Sequence, residues 1–177
     1  MSTVLIIIVV LPTIAIAAAL IAASAKPDTF RVQRAAVIAA SPERIFPLIA
    51  DFHQWAGWSP WEHRDSAMKR IFEGPQSGVG AIYAWDGNRN VGAGRMEIIE
   101  ATPSRIVIKL DFIKPFEGHN IAEFTLQPLT PSTEIVWTMH GPAPFLSKII
   151  QLVMNMDQMI GKDFEAGLAG LKRLAEA

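Results

Sequence analysis

Hydrophobic and polar positions along the chain fall into three regimes. From Val4 to Ala23 no residue is charged, and only Pro12 and Thr13 break the apolar run. At a rise of about 1.5 Å per residue, a helix of this length covers a hydrocarbon core of roughly 30 Å. Thr29 to Ala39 reads as a strand, and further on the chain alternates with period two over about 68–73, 79–86, 91–101, 105–113, 119–128 and 133–140. Turn chemistry separates these runs, as in Gly74-Pro75, Asp86-Gly87-Asn88 and Thr102-Pro103-Ser104, which predicts short strands in an antiparallel meander. After Gly141-Pro142 the spacing becomes helical. Phe145, Ile149, Leu152, Met156, Met159 or Ile160, Phe164, Leu168, Leu171 and Leu174 mark one apolar face of a single helix of about thirty residues.

Two shorter elements lie between the first strand and the meander. Ser41, Pro42 and Glu43 form a helix start, with a cap, a proline suited to the first turn and an acid at the positive end of the dipole. The helix runs to about Asp51, and Pro47 inside it predicts a kink or an early end. The segment Phe52 to Trp61 carries Trp55, Trp58 and Trp61 among glycine and proline, and reads as a helical turn followed by a loop. The tryptophans suit either packing of the short helices over one end of the sheet, which is favoured, or contact with a membrane or ligand.

Alternation sorts the strands into faces. Ile106, Ile108, Leu110 and Phe112 lie opposite Lys109 and Asp111; Ala122, Phe124 and Leu126 lie opposite Glu123 and Thr125. Ile135, Trp137 and Met139 lie opposite Glu134, Thr138 and His140, and Tyr83 and Trp85 share a face assigned to the inside. The strand with Arg95, Glu97 and Glu100 is ambiguous, because Ile98 and Ile99 put an apolar group on each side.

The division is therefore a segment 1–26, read as one N-terminal transmembrane anchor, and a single domain 27–177. A cleaved signal peptide is the rival, since Ala23-Ser24-Ala25 offers a small-x-small site; the missing Lys or Arg before the run and its length favour the anchor. Lys26, Arg31 and Arg34 follow the run, which places the domain on the cytoplasmic side of a single-pass membrane protein, or outside if the segment is a signal or inserts the other way. Sixteen basic against seventeen acidic residues give a net charge of -1, so no general attraction to nucleic acid or anionic lipid is expected. The chain has no cysteine, which removes disulfides, thiolate metal sites and a cysteine nucleophile.

The order of strand, two short helices, meander and C-terminal helix resembles the helix-grip fold of the START, Bet v 1-like and polyketide cyclase (SRPBCC) superfamily. Ala40-Ser41-Pro42-Glu43-Arg44-Ile45-Phe46 resembles its strand-to-helix start, and Trp58-Ser59-Pro60-Trp61 is similar to a recurring segment after its second helix. Tyr83-Ala84-Trp85-Asp86-Gly87-Asn88 and Val91-Gly92-Ala93-Gly94-Arg95-Met96 resemble the hairpin of membrane-anchored bacterial polyketide cyclase-like members. The resemblance implies an α+β domain with about seven curved antiparallel strands around a long C-terminal helix. It also implies a cavity between sheet and helix, and no particular reaction. On that basis a small hydrophobic or lipid-like ligand is expected against Tyr83, Trp85, Phe112, Phe124, Trp137, Met139 and Met156.

Chemistry is sparse. His53, His63, His119 and His140 form no close metal-binding pair, and no cofactor is implied. The serines lack a nucleophile elbow, and the glycines around Gly78 and Gly92 open no helix that could hold phosphate. A cyclase or dehydrase acting on a hydrophobic carbonyl compound is the alternative to a binding module; it requires Arg95, Tyr83 and His140, or two of them, to converge. For Arg95 a salt bridge to Glu97 or Asp111 is the plainer role, and His140 alternates with Thr138 toward solvent. A protein-interaction module, using the sheet edge or the tryptophans, is a third reading.

Overall fold

The structure, a computed structural model, describes the backbone of residues 2–177 and the side chains of residues 13–177. A helix α1 (Ser2–Ser24) leads into β1 (Thr29–Ile38), α2 (Pro42–Ala50) and a 3-10 turn (Phe52–Gly57). Then come β2 (Lys69–Glu73), β3 (Ile82–Asp86), β4 (Ala93–Thr102), β5 (Arg105–Lys114), β6 (Gly118–Leu129) and β7 (Ser132–Pro142). Two helices close the chain, α3 (Phe145–Val153) and α4 (Met156–Glu176). The anchor expectation rests on Val4 to Ala23, and the side chains up to residue 12 lie outside the described residues. Among the described residues no helix is long and apolar enough to cross a membrane.

The meander pairs each strand with the next, and β1 joins β7, so the sheet order is β1-β7-β6-β5-β4-β3-β2 with antiparallel neighbours throughout. The register shifts between Ile98 and Glu100, and this bulge leaves Ile99 exposed while Ile98 stays in the core. That is how two successive isoleucines fit one strand: the extra residue turns the second one out. Arg95 and Glu97 consequently share the outer face.

α2 ends after Ala50, three residues past Pro47, so the proline costs no further turn of helix. Its last carbonyls are satisfied by the tryptophans: the Trp58 indole N–H donates to Leu48 O (2.9 Å) and that of Trp55 to Ile49 O (3.0 Å). Trp55 and Trp58 are thereby fixed in the core, which supports the packing role expected for the cluster.

The predicted single C-terminal helix is broken. Met154 and Asn155 are non-helical, and Asn155 Oδ1 accepts from Gln158 N (3.0 Å) as the N-cap of α4. The apolar spacing runs across the break, so periodicity alone cannot reveal it. α4 crosses the sheet closely. A Cβ at Gly167 would lie 2.7 Å from the Trp137 ring, and one at Gly170 would lie 2.5 Å from Trp58 O. These glycines mark close approach to the sheet and the tryptophan segment.

Candidate functional site

The inner sheet face carries the residues expected to meet a ligand. Phe124, Trp137 and Met139 are buried, as is Tyr83, whereas Trp85, Phe112 and Met156 are partly exposed. Pairing puts Trp137 beside Phe124, Met139 beside Ala122, and Leu110 beside Asn120, all on one face. Under α4 this surface is filled by aromatic rings. Trp137 stacks on Phe164 with centroids 4.1 Å apart and on Phe124 at 4.7 Å, and Trp58 and Trp61 meet its edge at 5.7 Å. The space between sheet and helix at this level is packed core, not the cavity implied by the resemblance.

The apolar surface continues beyond α4 toward Trp85 and Phe112, whose rings meet edge to face at 6.1 Å. Among the described residues one buried side-chain polar atom on this face has no hydrogen-bond partner, Trp137 Nε1. The Asn120 carboxamide lies against the backbone opposite, where a Cβ at Gly141 would collide with it. Buried polar groups without partners are uncommon and mark places where water or a ligand supplies the missing bond.

Sequence reasoning missed a polar cluster at the β2–β3 side. Glu62, in the irregular segment after the tryptophans, is buried and accepts from Tyr83 Oη (2.5 Å) and Arg70 Nε (2.7 Å), while Arg70 also donates to Glu62 O (2.9 Å). Burial first, and then the Glu62 carboxylate, push the Tyr83 phenol well above its ordinary range, so it stays a neutral donor. Arg70 is inward-facing because it pairs with Trp85, a consequence of alternation on β2 that could have been read from the sequence.

The alternative set does not converge. Arg95 lies on the outer face and pairs with Glu97 (2.8 Å). His140 lies on the outer face too, opposite Arg31 and Ile121 in the ladders, whereas Tyr83 points inward beside Met96. The methionines divide as well: Met154 and Met159 are exposed and line an open groove of about 460 Å³ with Arg64, Lys162 and Asp163, away from the sheet. A smaller cleft of about 340 Å³ opens at the other end of the sheet between Phe52, His53, Phe72 and Gln76. There Asp51 accepts from the backbone and ring of His53 (2.9 and 2.7 Å) and from Gln76 (3.3 Å). Among the described residues no group of three or more His, Asp or Glu side chains is placed to hold a metal ion.

A seven-stranded antiparallel sheet with a helix laid across its apolar face defines an SRPBCC-like protein. The chain belongs to the family described as polyketide cyclase / dehydrase and lipid transport, whose model matches residues 29–176. Solved structures share the fold at low identity. The protein CV1439 from Chromobacterium violaceum is 19% identical with a TM-score of 0.59, over 86% of this chain and 99% of that one. The Aha1 dimer from Colwellia psychrerythraea is 16% identical with a TM-score of 0.57, over 83% and 96%. The di-domain ARO/CYC BexL from the BE-7585A biosynthetic pathway is 15% identical with a TM-score of 0.62, over 88% of this chain and 53% of BexL. No curated protein matches the chain.

Proposed function

We propose that this protein is a membrane-tethered binding module that holds a small hydrophobic or lipid-like ligand on the inner sheet face. The observation that carries the reading is the apolar end of that face, where Trp85 and Phe112 stay partly exposed beside Met139 and Leu110, with the buried Trp137 Nε1 lacking a protein partner. An apolar surface with one or two orienting polar groups is the usual chemistry of a small-molecule site. The tether is α1, whose charge-free run from Val4 to Ala23 matches a bilayer core. Lys26 and Arg31 follow it and favour a cytoplasmic domain; Arg34 is committed to Asp157 and Glu165 and adds little to that bias. The test is displacement of a fluorescent fatty acid from the full chain after mild extraction. Saturable binding that falls at least about tenfold in Ala122→Trp, which fills the strip beside Met139, is expected. Absence of saturable binding in the wild type would sink the reading.

A second reading is favoured by one feature, the inward Tyr83 held by Glu62 and Arg70. In a cyclase or dehydrase acting on a hydrophobic carbonyl compound, the single phenol proton now given to Glu62 would turn to the carbonyl oxygen as negative charge develops there, and the Glu62 carboxylate would keep its bond from Arg70.

A further inference from the structure

We infer that α3 and the β5–β6 turn form a docking surface that lies flat on the lipid bilayer. α3 exposes a strip of large apolar side chains. Lys148 is covered, to 6% exposure, and Ser147, Ile149, Ile150 and Gln151 are half-buried, while Phe145, Leu146, Leu152 and Val153 face out. Leu146 is 60% and Val153 86% exposed, which no soluble helix needs. The β5–β6 turn adds Ile113 and Phe116, exposed at 60% and 68%.

The two patches share one end of the sheet. In the ladders Phe112 faces Gly118, Ile121 faces His140, and Gly141 faces Phe30, so the β5–β6 turn, the exit of β7 and the start of β1 lie at the same end. α1 enters there. Only residues 25–28 separate α1 from β1, a reach of at most about 14 Å. That short link is tied to α3: Lys26 Nζ donates to Gln151 O (3.1 Å), Lys148 Nζ to the Asp28 carboxylate (2.5 Å), and Ala143 N to Asp28 O (2.7 Å). The link therefore holds α3 through the Lys148 ammonium and the Gln151 carbonyl, and the exposed apolar strip of α3 is presented beside the end of an apolar helix. A bilayer entered by α1 is the occupant that this continuity selects, because an interfacial helix buries its apolar face at the headgroup boundary. The inference rests on the tether proposed above. It adds that the domain is held against the membrane with the β3–β4 and β5–β6 end down, so an apolar ligand would pass between bilayer and the Trp85–Phe112 end of the inner face without crossing water.

The full chain lacks cysteine, so single-cysteine variants report position directly. Phe116→Cys and Val153→Cys sample the surface, Ile16→Cys samples α1, and Val79→Cys, exposed in the β2–β3 turn at the opposite end, is the control. Each is labelled with a small fluorophore and reconstituted in phosphatidylcholine vesicles containing a nitroxide lipid. Labels at 116 and 153 are expected to be quenched at least about twofold more than that at 79. Equal quenching at 116, 153 and 79 overturns the docking surface; if Ile16→Cys is then quenched the tether stands alone, and if it is not, both fall. Quenching at 116 and 153 without quenching at 16 keeps the surface and removes the span. Shielding of 116 and 153 from a water-soluble quencher without lipid quenching assigns the face to a second copy of the chain and overturns the inference.

Discussion

The inner sheet face is built in two different ways on either side of β5. On the β6–β7–β1 side a regular helix, α4, lies across alternating side chains, and the contact is apolar and interlocked: Phe164 on Trp137, Phe124 beneath, and glycines where the helix approaches. On the β4–β3–β2 side the 3-10 turn sets the Phe52 ring 5.9 Å from Tyr83. An irregular segment holding Glu62 lies over Tyr83 and Arg70, and Phe72 stacks at the margin between His53 and Tyr83. The first half is filled by interlocked rings, with α4 also tied to β1 by Arg34 on Asp157 and Glu165, and the second holds a buried carboxylate with its phenol and guanidinium partners.

The largest test of this contrast is truncation on each side. Phe164 is 2% exposed, and Phe164→Ala is expected to destabilise the domain by about 3 to 5 kcal/mol. Phe72→Ala, at a residue 39% exposed, is expected to cost under about 1.5 kcal/mol. Urea unfolding of both variants reads the difference; equal losses would mean that the two halves are packed alike.

Next in size is the polar cluster. Glu62→Gln keeps the shape and removes the charge, and an expected cost of about 1 to 3 kcal/mol follows from weakening one charge-assisted pair and one hydrogen bond to a buried phenol. Tyr83→Phe removes only the phenol's share. The double variant should cost less than the sum of the two, a coupling of about 0.5 kcal/mol or more, since both losses fall on the same 2.5 Å contact. Additive costs would separate Tyr83 from Glu62 and take away the distinction drawn for this half.

The two halves also differ in how far the sequence discloses them. The β5, β6 and β7 faces follow from alternation, because Ile106 to Phe112, Ala122 to Leu126 and Ile135 to Met139 each put their apolar side chains on one side. The inward placement of Tyr83 and Trp85 follows in the same way and is confirmed by their pairing with Met96 and Gly94. Glu62 is not legible, since it belongs to no periodic element and its burial depends on a phenol and a guanidinium contributed by other strands. The break in the C-terminal helix is hidden for the opposite reason: Leu152, Met156 and Met159 continue the apolar spacing past Asn155, and only the cap geometry shows the stop. The filled space around Trp137 is a matter of volume. Alternation says which residues point inward and nothing of whether Trp55, Trp58 and Phe164 leave room between them.

The smallest effect separates both inner halves from the outer face, where charge is arranged in exposed pairs. Asp111 accepts from His119 Nδ1 (2.7 Å) and pairs with Lys109 (3.1 Å). Burial alone would raise the Asp111 carboxyl, but the bonds from His119 and Lys109 outweigh it and hold it below its ordinary 3.8. The hydrogen bond to Asp111 raises the His119 imidazole above its ordinary 6.5, with Glu117 adding a smaller push. A raised imidazole contributes stability that is complete below pH 6.5 and is lost as pH climbs through the folded value; a lowered carboxyl contributes stability above pH 3.8 that is lost as pH falls through its folded value. The pair is therefore fully effective only between these limits, and raising the pH from 6 to 8 should lower the melting temperature slightly. Asp111→Asn should abolish that slope and bring the His119 titration, followed by its ring proton resonance, back toward 6.5. Tyr83 should not move with it, because its phenol is held far above this range. A pH slope of unchanged size in Asp111→Asn would place the titrating group elsewhere and remove the role given to this pair.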